Sequence, residues 1–403
     1  MVVRRDVLSR FLLLYCALYG GFGVVSPFLP PFLAARGLQP EELGILLGAG
    51  TAVRLVSGPL AGRLADVFHA FRAELALFAV VAAIASLLYL PAHAFWTVVL
   101  VSLFHAAMLA PLVPLTDALA LSAARPYKHR SAGAFEYGWV RGAGSAAFVA
   151  GALLSGQAVG LYGLGAILWL SAVCLFATAL SAPLVPELAT GTPVRANKQK
   201  VLGRDWVRLL HQAAFVRVTL VAALVLGSHA MHDSFAMIRW REAGIRPATT
   251  SVLWSESVAA EVLVFFCIGP YFLRLLGRTG ALALAAAAGV VRWAVMAQTT
   301  ELSALALIQP LHGFTFALLH LACMRIIADT VPPELSGTAQ ALYGSAGIGG
   351  ATALSTMLSG WLFAHFGPAG FWGMAILCLA AFPAIWSLQR SLSGAQTTSF
   401  GTQ

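Results

Sequence analysis

The chain has 403 residues, of which 59% are hydrophobic and only 10% charged, with 25 Lys and Arg against 16 Asp and Glu. A water-soluble domain of this length needs a polar skin that so few charges cannot supply, and the mean hydropathy of +0.83 excludes one. A net charge of +9 would suggest nucleic acid in a soluble chain, but no basic face interleaved with aromatics stands apart from the membrane-flanking residues, so no nucleic-acid partner is expected.

Apolar stretches recur from end to end, each long enough to cross ~30 Å of hydrocarbon as a helix. They predict an all-α membrane protein with about twelve spans, near 10–34, 42–64, 74–91, 95–122, 134–160, 163–186, 213–239, 248–273, 280–298, 301–328, 338–365 and 368–388. The first carries VVSPFLPPFLAARG, 24–37, whose three prolines predict a bend. It lacks a small-residue cleavage site and reads as an uncleaved span.

Alternate loops hold the basic residues: Arg4, Arg5 and Arg10; Arg63 and Arg72; Arg125, Lys128 and Arg130; Arg195, Lys198, Lys200, Arg204 and Arg208; Arg274 and Arg278; Arg390. Lys and Arg collect on the cytoplasmic side, which places both termini inside. Arg36, and the pair Arg241 and Arg246, stand on the other side as exceptions. The five cysteines, Cys16, Cys174, Cys267, Cys323 and Cys378, fall within spans with no CxxC or His/Cys ligand spacing. Neither a disulfide framework, a metal nor a cofactor is expected. The glycines of GSAGIGGATALSTMLSG, 344–360, lack the Lys-Ser/Thr of a phosphate loop and suit close helix packing instead.

The polar stretch 187–212 divides the chain into an N-terminal six-helix bundle (1–186), a cytoplasmic linker (187–212), a C-terminal six-helix bundle (213–389) and a cytoplasmic tail (390–403). Landmarks recur across the division. LSGQAVGLYG (154–163) and LSGWLFAHFG (358–367) share Ser-Gly and a later Gly, and Arg54 precedes Gly62 by the same interval as Glu261 precedes Gly269. These point to a duplicated six-helix unit, an arrangement found in transporters.

Charged residues inside spans are costly and are retained when they pair, face water or work. Arg141 lies in AFEYGWVRGAGSAAFVAG, 134–151, and counting back from the turn near Lys128 puts Asp117 at similar depth on the antiparallel neighbour. The pair is either a substrate site, with the guanidinium fork offered to a carboxylate or hydroxyls, or a permanent ion pair locking two helices. Arg54 and Glu261 fall near mid-span, Glu261 as a proton carrier or as half of a fixed pair. Arg292 and His312 also sit near mid-depth, and His312 can titrate or serve only as a hydrogen-bonding group. His232 and Asp233 lie in the outer part of the seventh span.

Twelve spans, a basic central loop and GRLADVFHAFR, 62–72, resemble the major facilitator superfamily. Gly62, Leu64, Asp66 and Arg72 fit its loop motif, implying a gating role, while His69 replaces the second glycine. FEYGWVRGAGSAAF (135–148) and LHGFTFALLHLACMRII (311–327) are similar to segments of the branch that holds lactose permease and the phenylpropionate permeases. The resemblance implies a sugar-site arginine at Arg141 and a coupling region at Arg292 and His312, with Thr315 where that region has a carboxylate. It also places Tyr15, Tyr19, Phe22, Phe28, Tyr137 and Phe148 on cavity-lining spans, where each either lines the cavity or packs against helices and lipid. LWSESVAAEVLVFF (253–266), VPLTDALALS (113–122) and ALYGSAGIGGATALSTMLSGWLF (341–363) look closer to the phenylpropionate permeases.

The expected protein is a secondary active transporter in a bacterial inner membrane, monomeric, moving a small organic solute with protons by alternating access. An aromatic or hydrophobic carboxylate is favoured. Arg141, Asp117, Arg54, Tyr19 and Phe148 would bind it, and Glu261, Arg292 and His312 would couple it to protons. A sugar or nucleoside symporter, a drug efflux antiporter and a non-transporting receptor of the same fold remain as alternatives. An enzyme is not expected, because no nucleophile–base set or metal motif is present.

Overall fold

The computed structural model describes residues 2–124, 135–187 and 203–400. The basic residues Arg125, Lys128, Arg130, Arg195, Lys198 and Lys200, and most of the expected linker, lie outside them. Every described element is a helix. In chain order these are α1 (Val2–Val25), α2 (Leu29–Ala35), α3 (Pro40–Phe68), α4 (Phe71–Leu88), α5 (Phe95–Leu109), α6 (Leu112–Ala124), α7 (Tyr137–Tyr162), α8 (Ala166–Ser181) and α9 (Gly203–Leu210). There follow α10 (Ala213–Gly227), α11 (Met237–Glu242), α12 (Pro247–Leu263), α13 (Gly269–Gln298), α14 (Leu302–Ile308), α15 (Leu319–Thr330), α16 (Ser336–Leu342), α17 (Gly350–Phe366) and α18 (Phe371–Phe400).

The first span breaks between α1 and α2, where Pro30 and Pro31 open the second helix and residues 26–28 form the bend. Among the described residues, ten helical stretches are long and apolar enough to cross a membrane. Two of them run to 52 and 60 residues, far beyond the ~20 that one crossing needs. Gly277 (φ 68°, ψ 179°) and Gly367 (φ 54°) interrupt these two, leaving a spanning length on either side. Large apolar side chains such as Trp169, Leu180, Leu307 and Leu354 are exposed on the helix exteriors, where hydrocarbon rather than water would cover them.

Two compact units divide the chain. One comprises Met1–Gln39, Ala49–Arg195 and Trp240–Ser255; the other comprises Pro40–Gly48, Ala196–Arg239 and Glu256–Gln403. In the first, α1 packs along α7 and α8, and α4 along α8, around Phe11, Leu14, Leu18, Leu75, Leu115 and Leu175. In the second, α18 packs on α10 and α13, burying Val218, Val225, Leu282, Trp293 and Cys378.

Small residues set how closely helices meet. A Cβ on Gly151 would fall 3.1 Å from the carbonyl carbon of Gly20, so α1 and α7 touch backbone to backbone. The two LSG segments behave alike. A Cβ on Gly156 would lie 2.8 Å from the Pro247 carbonyl oxygen, and one on Gly360 2.6 Å from that of Pro40, each meeting the first turn of another helix. Gly163 and Gly367 then close their helices with φ of 78° and 54°.

Two departures in the sequence gain a physical reason. Arg36, basic yet on the expected outer side, donates to the Ala92 and Leu90 carbonyls at 2.9 and 3.1 Å and lies over the Phe32 ring at 4.9 Å. It serves the carbonyls that follow α4 and so stands outside the loop-charge pattern. His69, in place of the motif's second glycine, has φ 52° between α3 and α4, a conformation glycine adopts without strain.

Replacing Gly151 with leucine is expected to cost about 2 kcal/mol of stability by forcing α1 and α7 apart, read as an earlier midpoint in denaturant titration of the detergent-purified protein. His69→Gly should move the same midpoint later, by up to about 1 kcal/mol, because it relieves the left-handed conformation.

Candidate functional site

Each unit carries its own cluster of interior polar side chains. In the first, α1 presents Tyr15, Tyr19 and Phe22 at helical spacing along one face. The two tyrosine rings stack at 5.7 Å with 10° between planes, and Phe22 meets Tyr19 edge-on at 6.1 Å. They lie flat on α7 because Gly144 has no side chain there: a Cβ would come 3.0 Å from Tyr19 and 3.3 Å from Tyr15.

Beside this aromatic face stand Asp117 of α6 and Arg141 of α7. Tyr15, fully buried, donates its hydroxyl to Asp117 Oδ1 at 2.5 Å. Tyr137 lies close to both Asp117 and Tyr15. Arg141 donates to the Tyr19 hydroxyl and lies over its ring at 5.0 Å. The Arg141 and Asp117 side chains stand 4.0 Å apart and are 40% and 26% exposed. That distance is an ion pair but not a direct hydrogen bond, so the guanidinium keeps donors and Asp117 keeps Oδ2 for a third party.

Other sequence candidates lie elsewhere. Phe148 is two turns beyond Arg141 on α7, where its backbone meets Gly23. Arg54 is exposed on α3, between Gly50 and Gly58, which approach Ala106 and Ala110 of α5; among the described residues it makes no hydrogen bond to the Tyr–Asp–Arg cluster. Of the loop motif, Gly62 has open space around it and Asp66 is exposed. Arg72 turns to the end of α8, pairing with Glu187 Oε2 at 2.7 Å and donating to the Pro183 and Val185 carbonyls at 3.2 Å.

The second unit is organised around Arg292, which is fully buried. One terminal nitrogen reaches His312 Nδ1 at 3.0 Å; the other reaches Gln309 Oε1 at 3.0 Å and His232 Nε2 at 3.4 Å. Its guanidinium stacks on Trp293 at 4.6 Å, and Trp293 donates to Ser228 Oγ at 2.8 Å. His312 Nε2 stands 3.5 Å from Glu261 Oε2, and His232 Nδ1 stands 3.2 Å from Asp233 Oδ1. His229 packs against His312 and Trp293, with ring centroids 5.0 and 5.4 Å away. Arg292, His312 and Glu261 are therefore in one cluster, together with His229, His232, Asp233 and Gln309.

Three wide π turns adjoin this cluster, at His232–Ala236, Val264–Ile268 and Phe314–Leu318, and a fourth spans Tyr343–Gly349. Sequence reasoning passed over His229 and the role of Gln309. The only available signal for His229 was its position three residues before His232, on the same helix face.

Comparison with known proteins gives these clusters a context. The sequence model of the MFS_1 like family matches residues 7–374. The probable 3-phenylpropionic acid transporter of Escherichia coli (strain K12) is 34% identical over 379 residues, 93% of this chain and 96% of that protein. The maltose permease of Geobacillus stearothermophilus is 24% identical over 356 residues, 87% and 86% of the two chains. Among solved structures, the nucleoside transporter NupG superposes with a TM-score of 0.77 at 16% identity, covering 96% of this chain and 98% of its own. A bacterial homologue of the human lysosomal transporter Spinster gives 0.69 at 16% identity, covering 96% and 97%.

Arg292→Leu is expected to cost about 2–3 kcal/mol, because it strands three interior acceptors, two of them buried, whereas Arg141→Leu should cost no more than about 1 kcal/mol at its half-exposed position. Parallel denaturant titrations of the two variants check the ranking.

Proposed function

The chain belongs to the MFS_1 like family and is a multi-pass membrane transporter; from that premise we propose that it carries a small carboxylate with an aromatic or other hydrophobic body, together with protons, by alternating access. The observation that carries this reading is Arg141. It is a cation held by one tyrosine, with donors to spare, set beside the stacked faces of Tyr15 and Tyr19. A bidentate carboxylate suits its fork, and a phenyl ring suits the aromatic face. The name of the E. coli relative supports the same chemistry.

Asp117 gives the site its logic. A substrate carboxylate and Asp117 compete for one guanidinium, so binding is easiest when Asp117 carries a proton. In the second cluster Glu261, facing His312, is the proposed carrier of the driving proton, with Arg292 holding the array together. Gly62, Asp66 and Arg72 would act at the cytoplasmic end as the gating segment, Arg72 through its hold on Glu187. Phe148 and Arg54 would contribute to the substrate path rather than to the anion hook.

A second reading, a sugar or nucleoside, draws on the carboxylate and three tyrosine hydroxyls around Arg141, which also suit a polyol. Uptake into proteoliposomes separates the two. Labelled 3-phenylpropionate should accumulate when the outside is acid, and Arg141→Ala should lower its uptake about 10- to 100-fold, the worth of a lost charge-assisted pair. Accumulation of maltose or nucleosides with no response to 3-phenylpropionate would reverse the assignment.

A further inference from the structure

The spacing of Arg141 and Asp117 sets a condition on any ligand that Arg141 holds. Arg141 Nη1 and Asp117 Oδ2 stand 4.0 Å apart, near enough to attract but too far for a direct hydrogen bond. Each end is held from behind. Tyr15 donates to Asp117 Oδ1 at 2.5 Å, and Arg141 donates to the Tyr19 hydroxyl while lying over that ring. Among the described residues, the charged or phenolic groups acting on Arg141 are Asp117, Tyr15, Tyr19 and Tyr137.

A carboxylate placed on the Arg141 fork arrives within a few ångströms of Asp117 Oδ2, and two carboxylates so close repel. A proton on Asp117 relieves that repulsion from the protein's side. A hydroxyl on the ligand relieves it from the other side, because in donating to Oδ2 it puts a hydrogen between the two acids. Asp117 has the capacity: a carboxylate accepts about four hydrogen bonds, and Tyr15 with the adjacent Tyr137 supplies at most two. Arg141 has it too, since only one of its N–H groups goes to Tyr19. Both side chains are within reach of a ligand, 40% and 26% exposed.

The distance selects where that hydroxyl must be. Bridging the 4.0 Å gap with two hydrogen bonds of about 2.8 Å requires the ligand's accepting and donating oxygens to lie close together. A hydroxyl on the carbon next to the carboxyl meets this in every rotamer, because only three bonds separate the oxygens. A hydroxyl across an aromatic ring does not. An ammonium in the same place would also donate to Asp117, but its charge would stand beside that of the guanidinium, a repulsion that a neutral hydroxyl avoids.

We propose that the preferred ligands are 2-hydroxy carboxylates with an aromatic or other hydrophobic body, bound by their carboxylate to Arg141 and by their hydroxyl to Asp117. The proposal rests on the reading of Arg141 as a carboxylate hook and adds Asp117 as the residue that selects among such acids. Carboxylate, hydroxyl and hydrophobic body each have a fixed place, on Arg141, on Asp117 and along the rings of Tyr19 and Phe22. Three such contacts distinguish the mirror-image forms of the ligand.

The test is titration calorimetry of the purified protein with 3-phenylpropionate, the two enantiomers of 3-phenyllactate, 3-(4-hydroxyphenyl)propionate and phenylalanine. One enantiomer of 3-phenyllactate should bind about tenfold tighter than 3-phenylpropionate or better, as a hydrogen bond to a charged group provides. Its mirror image and the ring-hydroxylated acid should not share the gain. Asp117→Asn should reduce the advantage and Asp117→Ala should abolish it. Equal binding of 3-phenyllactate and 3-phenylpropionate, an advantage that survives Asp117→Ala, or phenylalanine binding tighter than 3-phenyllactate would each overturn the proposal and leave Arg141 as a simple carboxylate hook. Binding of maltose or nucleosides with no response to any of these acids would instead remove the hook itself.

Discussion

A guanidinium cannot shed its proton, so every arginine inside a membrane protein must be given acceptors or water. The interior of this transporter is arranged by how that demand is met. Arg292 has both terminal nitrogens met, by two imidazoles and a glutamine in a buried setting, and it becomes a hub. Arg141 is met incompletely, by one tyrosine and a carboxylate 4.0 Å away, and it keeps donors to spare. Arg36 is met by backbone carbonyls and is purely architectural. The same residue type thus serves as hub in one place, as clamp in another and as the proposed ligand hook in a third, and the partners decide which.

The hub explains why neutral polar residues gather in the second unit. His232, Gln309 and His312 are acceptors recruited to one cation from three stretches of chain, and Trp293 and Ser228 secure it from behind. Removing a proton acceptor from such a set affects several segments together, because each loses its reason to face inward. The first unit's cluster is built more loosely, on stacked rings over a glycine, and leaves room for exchange of partners.

Much of the architecture was legible in the sequence, because hydropathy and loop charge are local signals. The break in the first span followed from its prolines, and the pairing depth of Asp117 and Arg141 from counting residues through a turn. What escaped was anything set by facing. Tyr15 could be assigned only to a cavity-lining span, yet its hydroxyl belongs to Asp117. Gln309, which no sequence signal singled out, accepts from Arg292 at 3.0 Å, as close as His312. His69 read as a defect of the loop motif until its backbone angle showed what the missing glycine would have done.

The wide turns carry a consequence for how side chains face. Among the described residues all four fall in the second unit. Such a turn accommodates an extra residue, and everything after it is rotated by roughly 100° relative to a regular helix. Each is thus equivalent to a one-residue insertion in its helix, so a face assigned by counting about 3.6 residues per turn holds on either side of the turn but not across it.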